Sequence, residues 1–238
     1  MNENVKGKKV FLTARWENLL FATYKVRPDM LKPYIPQGLE PDTIDGNAFI
    51  SLIAFDFLDI KVKGLRLPFN VNFPEINLRC YVKNSDRRGV VFIKELVPVY
   101  LTVIGANLFF NEKYVHASMK SEVTKGEKIF VKHTVKIKSK EYFIQAEAEN
   151  KPYMPDVNST ENFFKEHKWG FGVNKKNEPL VYRVEHQHWE IYPIINFNHN
   201  FDFADIYGDD WEFLNSEKPY NITLAKGSPI KVFNAEKI

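Results

Sequence analysis

Three groups of residues in this sequence have the types and spacing to do chemistry, and the first is a single amine. Lys113 opens the run Lys113-Tyr-Val-His-Ala-Ser-Met119 and, on a β-strand, shares a face with Val115, Ala117 and Met119, because side chains two residues apart point the same way. A lysine on an otherwise apolar face is partly desolvated, which disfavours its ammonium form. A neutral amine is a nucleophile for carbonyl carbons. The same residue also fits a plainer role, as the end of a solvated turn Asn111-Glu112-Lys113 whose long side chain reaches water.

The second group is the run Glu75-Ile-Asn-Leu-Arg-Cys-Tyr-Val82, which alternates cleanly. Ile76, Leu78, Cys80 and Val82 share one face, and Glu75, Asn77, Arg79 and Tyr81 share the other. In an open sheet the polar face meets solvent. In a barrel that holds a ligand the same face lines the cavity, with Glu75 as a proton carrier and Arg79 as an anion clamp. The third group is Tyr182, Val184, His186, His188, Glu190 and Tyr192, again on one face. His186 and His188 can reach one metal ion, but Glu190 lies roughly 13 Å from His186 at about 3.3 Å of rise per residue. A third ligand must then come from another strand, from His116 or His133. His133, between Val131 and Val135, reads instead as a hydrogen-bonded core histidine. The expectation is no metal, with a metal-dependent site at His186 and His188 kept as a second alternative.

Around these groups the chain reads as β structure. Runs rich in aromatic and β-branched residues recur at 11–16, 21–26, 48–60, 76–82, 90–93, 113–123, 129–137, 142–148, 181–195 and 230–233. Lys125-Gly126 and Ser139-Lys140 join neighbours closely enough for hairpins. Helices are few: 28–34 begins with a proline suited to a first turn, 99–109 is apolar without clean alternation, and Ser159-Thr160 suits the cap of a helix through His167. The aromatic segment 197–211 suits a lid or satellite core. So many strands with so little helix predict a mainly β fold, closed or nearly closed into a barrel that hides its edges, with residues 1–238 as one domain.

Composition narrows the function classes. Of the 238 residues, 44% are hydrophobic and 26% charged, and 33 Lys and Arg against 30 Asp and Glu leave +3 without a basic block. That argues against nucleic acid as a partner. No run approaches the roughly 20 apolar residues of a membrane helix, the first ten residues lack the apolar core of a signal peptide, and Cys80 is the only cysteine, so a cytoplasmic location is expected. There is no glycine-rich dinucleotide fingerprint, phosphate loop, Gly-X-Ser-X-Gly elbow or His-Glu-X-X-His, and no cofactor is expected.

Five segments carry a resemblance. Arg15-Trp16-Glu-Asn-Leu19-Leu20-Phe21, Pro36-Gln-Gly38-Leu39-Glu-Pro-Asp42 with Asp45-Gly46, Phe73-Pro74-Glu75 through Val82, Ser159-Thr160-Glu-Asn-Phe163-Phe164 and His186-Gln-His-Trp189 together resemble the YqjF-like family of uncharacterised bacterial proteins. That family is similar to acetoacetate decarboxylase, which implies a cone-shaped β-barrel with an internal cavity and short peripheral helices. Written beside Gly105 to Tyr114, the decarboxylase signature Gly-Arg-Glu-X-X-Gly-Phe-Pro-Lys-Lys puts Lys113 at the Schiff-base lysine, and Glu75 falls beside an active-site glutamate. The arginine and glutamate of that signature are here Ala106 and Asn107, its proline is Glu112 and its second lysine is Tyr114.

The resemblance implies Schiff-base chemistry, of lyase type, on a small oxo acid or other carbonyl compound. Lys113 would form the iminium, Glu75 would shuttle the proton, and Arg79 or Arg15 would hold a substrate carboxylate. Asn77, Tyr81, Tyr114, His186 and Trp189 complete the expected binding residues. The alternative is a barrel that binds a small molecule without reacting, for which an aromatic content of 15% is suited. The expected partner is thus a small-molecule ligand or substrate, with self-association into a homo-oligomer left open.

Overall fold

The computed structural model describes residues 9–66, 72–85, 87–98 and 114–238. In chain order the first strands are β1 (Val10–Val26), β2 (Glu40–Pro41), β3 (Ala48–Val62), β4 (Leu65–Arg66), β5 (Phe73–Asn84), β6 (Arg87–Val97) and β7 (Tyr114–His116). Then come β8 (Ser118–Lys125), β9 (Lys128–Ile137), β10 (Lys140–Glu149), helix α1 (Thr160–Lys165), β11 (Trp169–Val173), β12 (Pro179–His186), β13 (Ile191–Tyr192) and β14 (Ile194–His199). Helix α2 (Phe203–Tyr207) and a 3-10 segment, Asp209–Asn215, lead into β15 (Asn221–Phe233) and β16 (Glu236–Lys237).

The large sheet runs β15-β1-β3-β5-β6-β11-β12 and closes where β12 pairs back onto β15, at Val184 opposite Val232. The result is a barrel-like ring of strands. Its pairings are antiparallel except β6 with β11, and β7 adds a second parallel partner to β6. Strands β14, β10, β9 and β8 form a separate antiparallel sheet. It packs against the outside of the ring, so the ring's strands have two buried faces. In β3, Ile50, Leu52 and Ala54 belong to the core under the second sheet, while Ile53, Phe55 and Phe57 belong to the core inside the ring. This double burial explains why residues 48–55 are almost continuously apolar, since neither face meets water.

The second sheet has the simpler pattern. Ile129, Val131, His133 and Val135 of β9 are buried, and Lys132, Thr134 and Lys136 between them face outward. Phe201, Phe203, Ile206, Tyr207, Trp211 and Leu214 join the same core, so the aromatic segment 197–211 continues the main core and is not a separate cluster.

Three expectations about elements change in the structure. The runs 11–16 and 21–26 are one strand, because Asn18 takes a positive φ of 54° and absorbs a register irregularity between Glu17 and Leu20. The run 113–123 divides at Ala117: β7 follows the ring and β8 the second sheet. The run 181–195 breaks into β12, β13 and β14. Of the helical expectations, 28–34 contracts to a 3-10 turn, Pro28–Leu31, and α1 ends at Lys165, while 99–109 lies outside the described residues. Ser159 caps α1 by accepting a hydrogen bond from the Asn162 amide at 3.2 Å.

One glycine shapes the interior. Gly170 in β11 lies against the Tyr182 ring closely enough that any Cβ there would collide with it. The missing side chain makes room for the tyrosine.

Candidate functional site

A pocket of about 60 Å³ lies inside the ring. Glu75, Asn77 and Arg79 line it from β5, and the aromatic wall facing them includes Trp16, Phe55, Phe57 and Trp189. These rings pack edge to face, with Trp16 5.5 Å from Phe55 and 6.2 Å from Trp189, an arrangement that suits the ring quadrupoles.

At one end the sheet register sets polar groups side by side. Asn77 of β5 lies opposite Glu95 of β6, and Glu95 lies opposite Tyr114 of β7. The Asn77 amide donates to Glu75 Oε1 at 2.9 Å, and the Tyr114 hydroxyl donates to Glu95 Oε1 at 2.9 Å. Both carboxyl groups are buried. Burial pushes the Glu75 carboxyl up to about 7, while the Asn77 hydrogen bond and the Arg79 charge pull it down. Burial and the charges of Glu95 and Glu75 also raise the hydroxyls of Tyr114 and Tyr182 above the usual tyrosine range. A carboxyl near 7 is poised to give or take a proton at neutral pH.

The other end is closed by α1 and the residues after it. Lys165, with its side chain fully buried, lines the pocket and forms an ion pair with Glu166. Its ammonium also donates to Asn162 Oδ1 at 3.4 Å. Glu166 in turn accepts from the Trp189 amide at 3.2 Å and lies 3.2 Å from His188 Nδ1. His167 lines the same wall, and neither ring nitrogen completes a hydrogen bond among the described residues. Burial, with the charges of Arg79 and Arg88, pushes the imidazole down to about 3, only partly opposed by the nearby Phe163 carbonyl. Arg79 reaches this wall as well, donating to the Phe164 carbonyl at 3.0 Å while its Nε has no partner among the described residues.

The residues expected from the sequence are distributed unevenly. Glu75, Asn77, Arg79, Tyr114, His186 and Trp189 line the pocket. Trp189 donates from Nε1 to Ser228 Oγ at 2.9 Å and stacks on His186 with ring centroids 4.1 Å apart. Tyr81 continues the face of Arg79 but lies beyond the pocket, where its hydroxyl meets Ser51 Oγ at 2.5 Å and its ring packs on Phe164 and His167. Arg15 lies outside the pocket, 42% exposed, paired with Glu17 and Asp59. The neighbouring Trp16 takes the inward direction, and adjacent residues on a strand point oppositely.

Lys113 lies outside the described residues. Just after it, Tyr114 lines the pocket, Val115 is 38% exposed and Ala117 is buried. His188 is 63% exposed, so it does not share the pocket with His186: β12 ends at His186 and strand alternation stops there. Among the described residues no three His, Cys, Asp or Glu side chains are placed to hold a metal ion.

Three polar pocket residues were not among the sequence candidates: Glu95, Lys165 and His167. Tyr182 was grouped with His186 by its shared face but was not named as a binding residue. Glu95 sits in Lys94-Glu95, whose charges hide the continuation of β6. Lys165 and His167 follow a helix too short to show any periodicity.

The family DUF2071, described as an uncharacterized conserved protein, matches residues 13–229. The uncharacterized protein YqjF of Bacillus subtilis (strain 168) is 37% identical over 108 residues, a stretch that is 45% of each chain, so the match spans less than half the length of that relative. Among solved structures, an acetoacetate decarboxylase-like enzyme from Sphingomonas wittichii RW1 superposes with a TM-score of 0.66 at 12% identity, over 97% of this chain and 94% of the other. The enduracididine biosynthesis enzyme MppR complexed with pyruvate gives 0.65 at 12% identity, over 99% and 93%. The fold is therefore acetoacetate decarboxylase-like. No helix among the described residues is long and apolar enough to cross a membrane.

Proposed function

The chain belongs to the DUF2071 family of uncharacterized conserved proteins, and from that premise we propose that it holds a small oxo acid, or another small carbonyl compound, in the pocket of the strand ring, with Glu75 carrying protons there. The observation that carries this proposal is Glu75 itself. It is a buried carboxyl whose hydrogen-bond partner among the described residues is Asn77, set beside a second carboxyl in a pocket whose lining is largely aromatic and aliphatic. A purely structural core has little use for a carboxyl like that of Glu75, because burying it with one hydrogen-bond donor costs stability.

Size supports the same class. At about 10–15 Å³ per water centre, 60 Å³ suits a small ligand on the scale of a short oxo acid. The fold neighbour MppR is complexed with pyruvate, and in another structure with the condensation product of pyruvate and imidazole 4-carboxaldehyde.

In the lyase version of this function Lys113 supplies the amine. Its lone pair attacks the carbonyl carbon and water leaves with a proton from Glu75; in a 3-oxo acid the bond from the neighbouring carbon to the carboxylate then breaks, carbon dioxide departs, and the electron pair passes through a new C=C bond to the iminium nitrogen. Glu75, reprotonated from water, protonates that carbon, and hydrolysis of the iminium frees the lysine. The test is borohydride reduction in the presence of 2-oxobutanoate, followed by mass spectrometry. A single adduct that disappears in Lys113→Ala is expected, and an adduct confined to surface lysines would rule this chemistry out. A second function, a binding module without chemistry, draws on Lys165, a lysine that lines the pocket with its nitrogen paired to Glu166. It predicts ligand binding that survives Lys113→Ala and no adduct in either protein.

A further inference from the structure

The α1 wall carries more donor capacity than the protein uses. An ammonium has three N–H donors, and Glu166 and Asn162 account for two of those on Lys165. Glu166 divides its own acceptor capacity among Lys165, the Trp189 amide and His188, so the ammonium is less than fully neutralised. His167 adds one N–H as a neutral imidazole and has no partner among the described residues for either nitrogen. Arg79 brings a second positive charge to the same wall through its bond to the Phe164 carbonyl, next in the chain to Lys165.

We propose that Lys165 and His167 form a carboxylate-binding subsite, with Arg79 behind them, which orients a small monocarboxylic oxo acid so that its carbonyl carbon lies toward Glu75. This rests on the pocket function proposed above. The third N–H of Lys165 and the His167 N–H, for which the Phe163 carbonyl is a weak competitor, match the two oxygens of a carboxylate, whereas a phosphate presents more acceptors than the wall can answer. Charge fixes the direction. Glu75 and Arg79 share the inner face of β5 closely enough for the Arg79 charge to act on the Glu75 carboxyl, and an anion is repelled by the Glu75 and Glu95 side of the pocket and attracted to the α1 side. The contacts with Glu166 and Asn162 also assign Lys165 a different role from Lys113: its nitrogen is already engaged as a hydrogen-bond donor, which suits holding an anion and not attacking a carbonyl.

The experiment compares 2-oxobutanoate with butanone, the same ketone without the carboxylate, by calorimetry on the full chain. Wild-type protein should prefer the acid. Lys165→Met leaves Glu166 buried without its cation and can fail to fold, so the decisive variant is Lys165→Met/Glu166→Gln, checked by circular dichroism. In it the preference for acid over ketone should fall about 10- to 100-fold, the effect expected for one charge-assisted hydrogen bond. His167→Phe should lower the same preference about 3- to 10-fold, as one neutral donor would. A preference unchanged in both variants overturns the subsite and leaves the pocket function standing. Wild-type protein that binds neither compound removes the pocket function, and the subsite with it.

Discussion

On the outer side of β5, Ile76, Leu78, Cys80 and Val82 are fully buried under the second sheet, in a core made almost wholly of apolar contacts. On the inner side of the same strand, Glu75 and Asn77 are buried nearly as deeply, and Asn77 Oδ1 and Arg79 Nε have no hydrogen-bond partner among the described residues. The outer compartment also holds polar atoms unpartnered among the described residues, the Tyr207 hydroxyl, Trp211 Nε1 and both ring nitrogens of His133, whose pKa burial lowers. Each buried polar group left unpaired costs about 1–3 kcal/mol. What sets the inner side apart is charge, with Glu75, Glu95, Arg79 and Lys165 gathered around one pocket. Under the function proposed above, stability rests on the outer face and function on the inner one, within a single strand.

The largest effect that tests this division is on the outer face. Ile76→Ala should cost about 2–5 kcal/mol, the range for removing a buried isoleucine, as measured by urea denaturation, while the folded variant keeps its affinity for 2-oxobutanoate. A matching loss of affinity would show that the compartments are not separable.

The next effect concerns the inner face and is read through pH. The Glu75 carboxyl lies at about 7 in the folded protein against 4.5 for an unperturbed glutamate. Below pH 4.5 both folded and unfolded chains hold the proton, and its contribution to stability is intact. Between 4.5 and 7 the unfolded chain releases the proton while the folded chain retains it, so stability falls as pH rises, by about 3 kcal/mol over that window. Glu75→Gln should remove this slope and leave the variant more stable than wild type at pH 8. Stability curves of the two proteins that run parallel from pH 4.5 to 7 would show that Glu75 does not titrate there.

What could be read in advance depended on how much each residue's neighbours reveal. The alternation of β5 was legible, because its two faces differ in chemistry. What covers each face was not: strand parity says which residues travel together, and only closure of the ring and docking of the second sheet decide that both sides are dry. Arg15 and Trp16 illustrate a second limit. Register shifts in β1 decide which of the two points inward, and a bulge leaves little trace in composition. Lys165 illustrates a third. A lysine after two phenylalanines in a short helix looks like any surface lysine until the Phe164 contacts and Arg79 draw that helix against the ring.

The smallest effect tests how that helix is held. At six residues, α1 is too short to persist alone and depends on the burial of Phe164 and on Ser159, whose hydroxyl oxygen accepts from the Asn162 amide. Asn162 also receives a bond from Lys165, so the cap is connected through one residue to the ammonium that faces the pocket. Ser159→Ala should cost about 1 kcal/mol in thermal or urea denaturation, as cap removal does, and Ser159→Asp should restore it by accepting the same amide hydrogen. If the cap serves only the helix, both variants keep the wild-type preference for 2-oxobutanoate over butanone. A preference lowered in Ser159→Ala and regained in Ser159→Asp would mean that the inner compartment depends on a surface hydroxyl for the placement of its cation, and the division between stability and function would then run through α1 as well as β5.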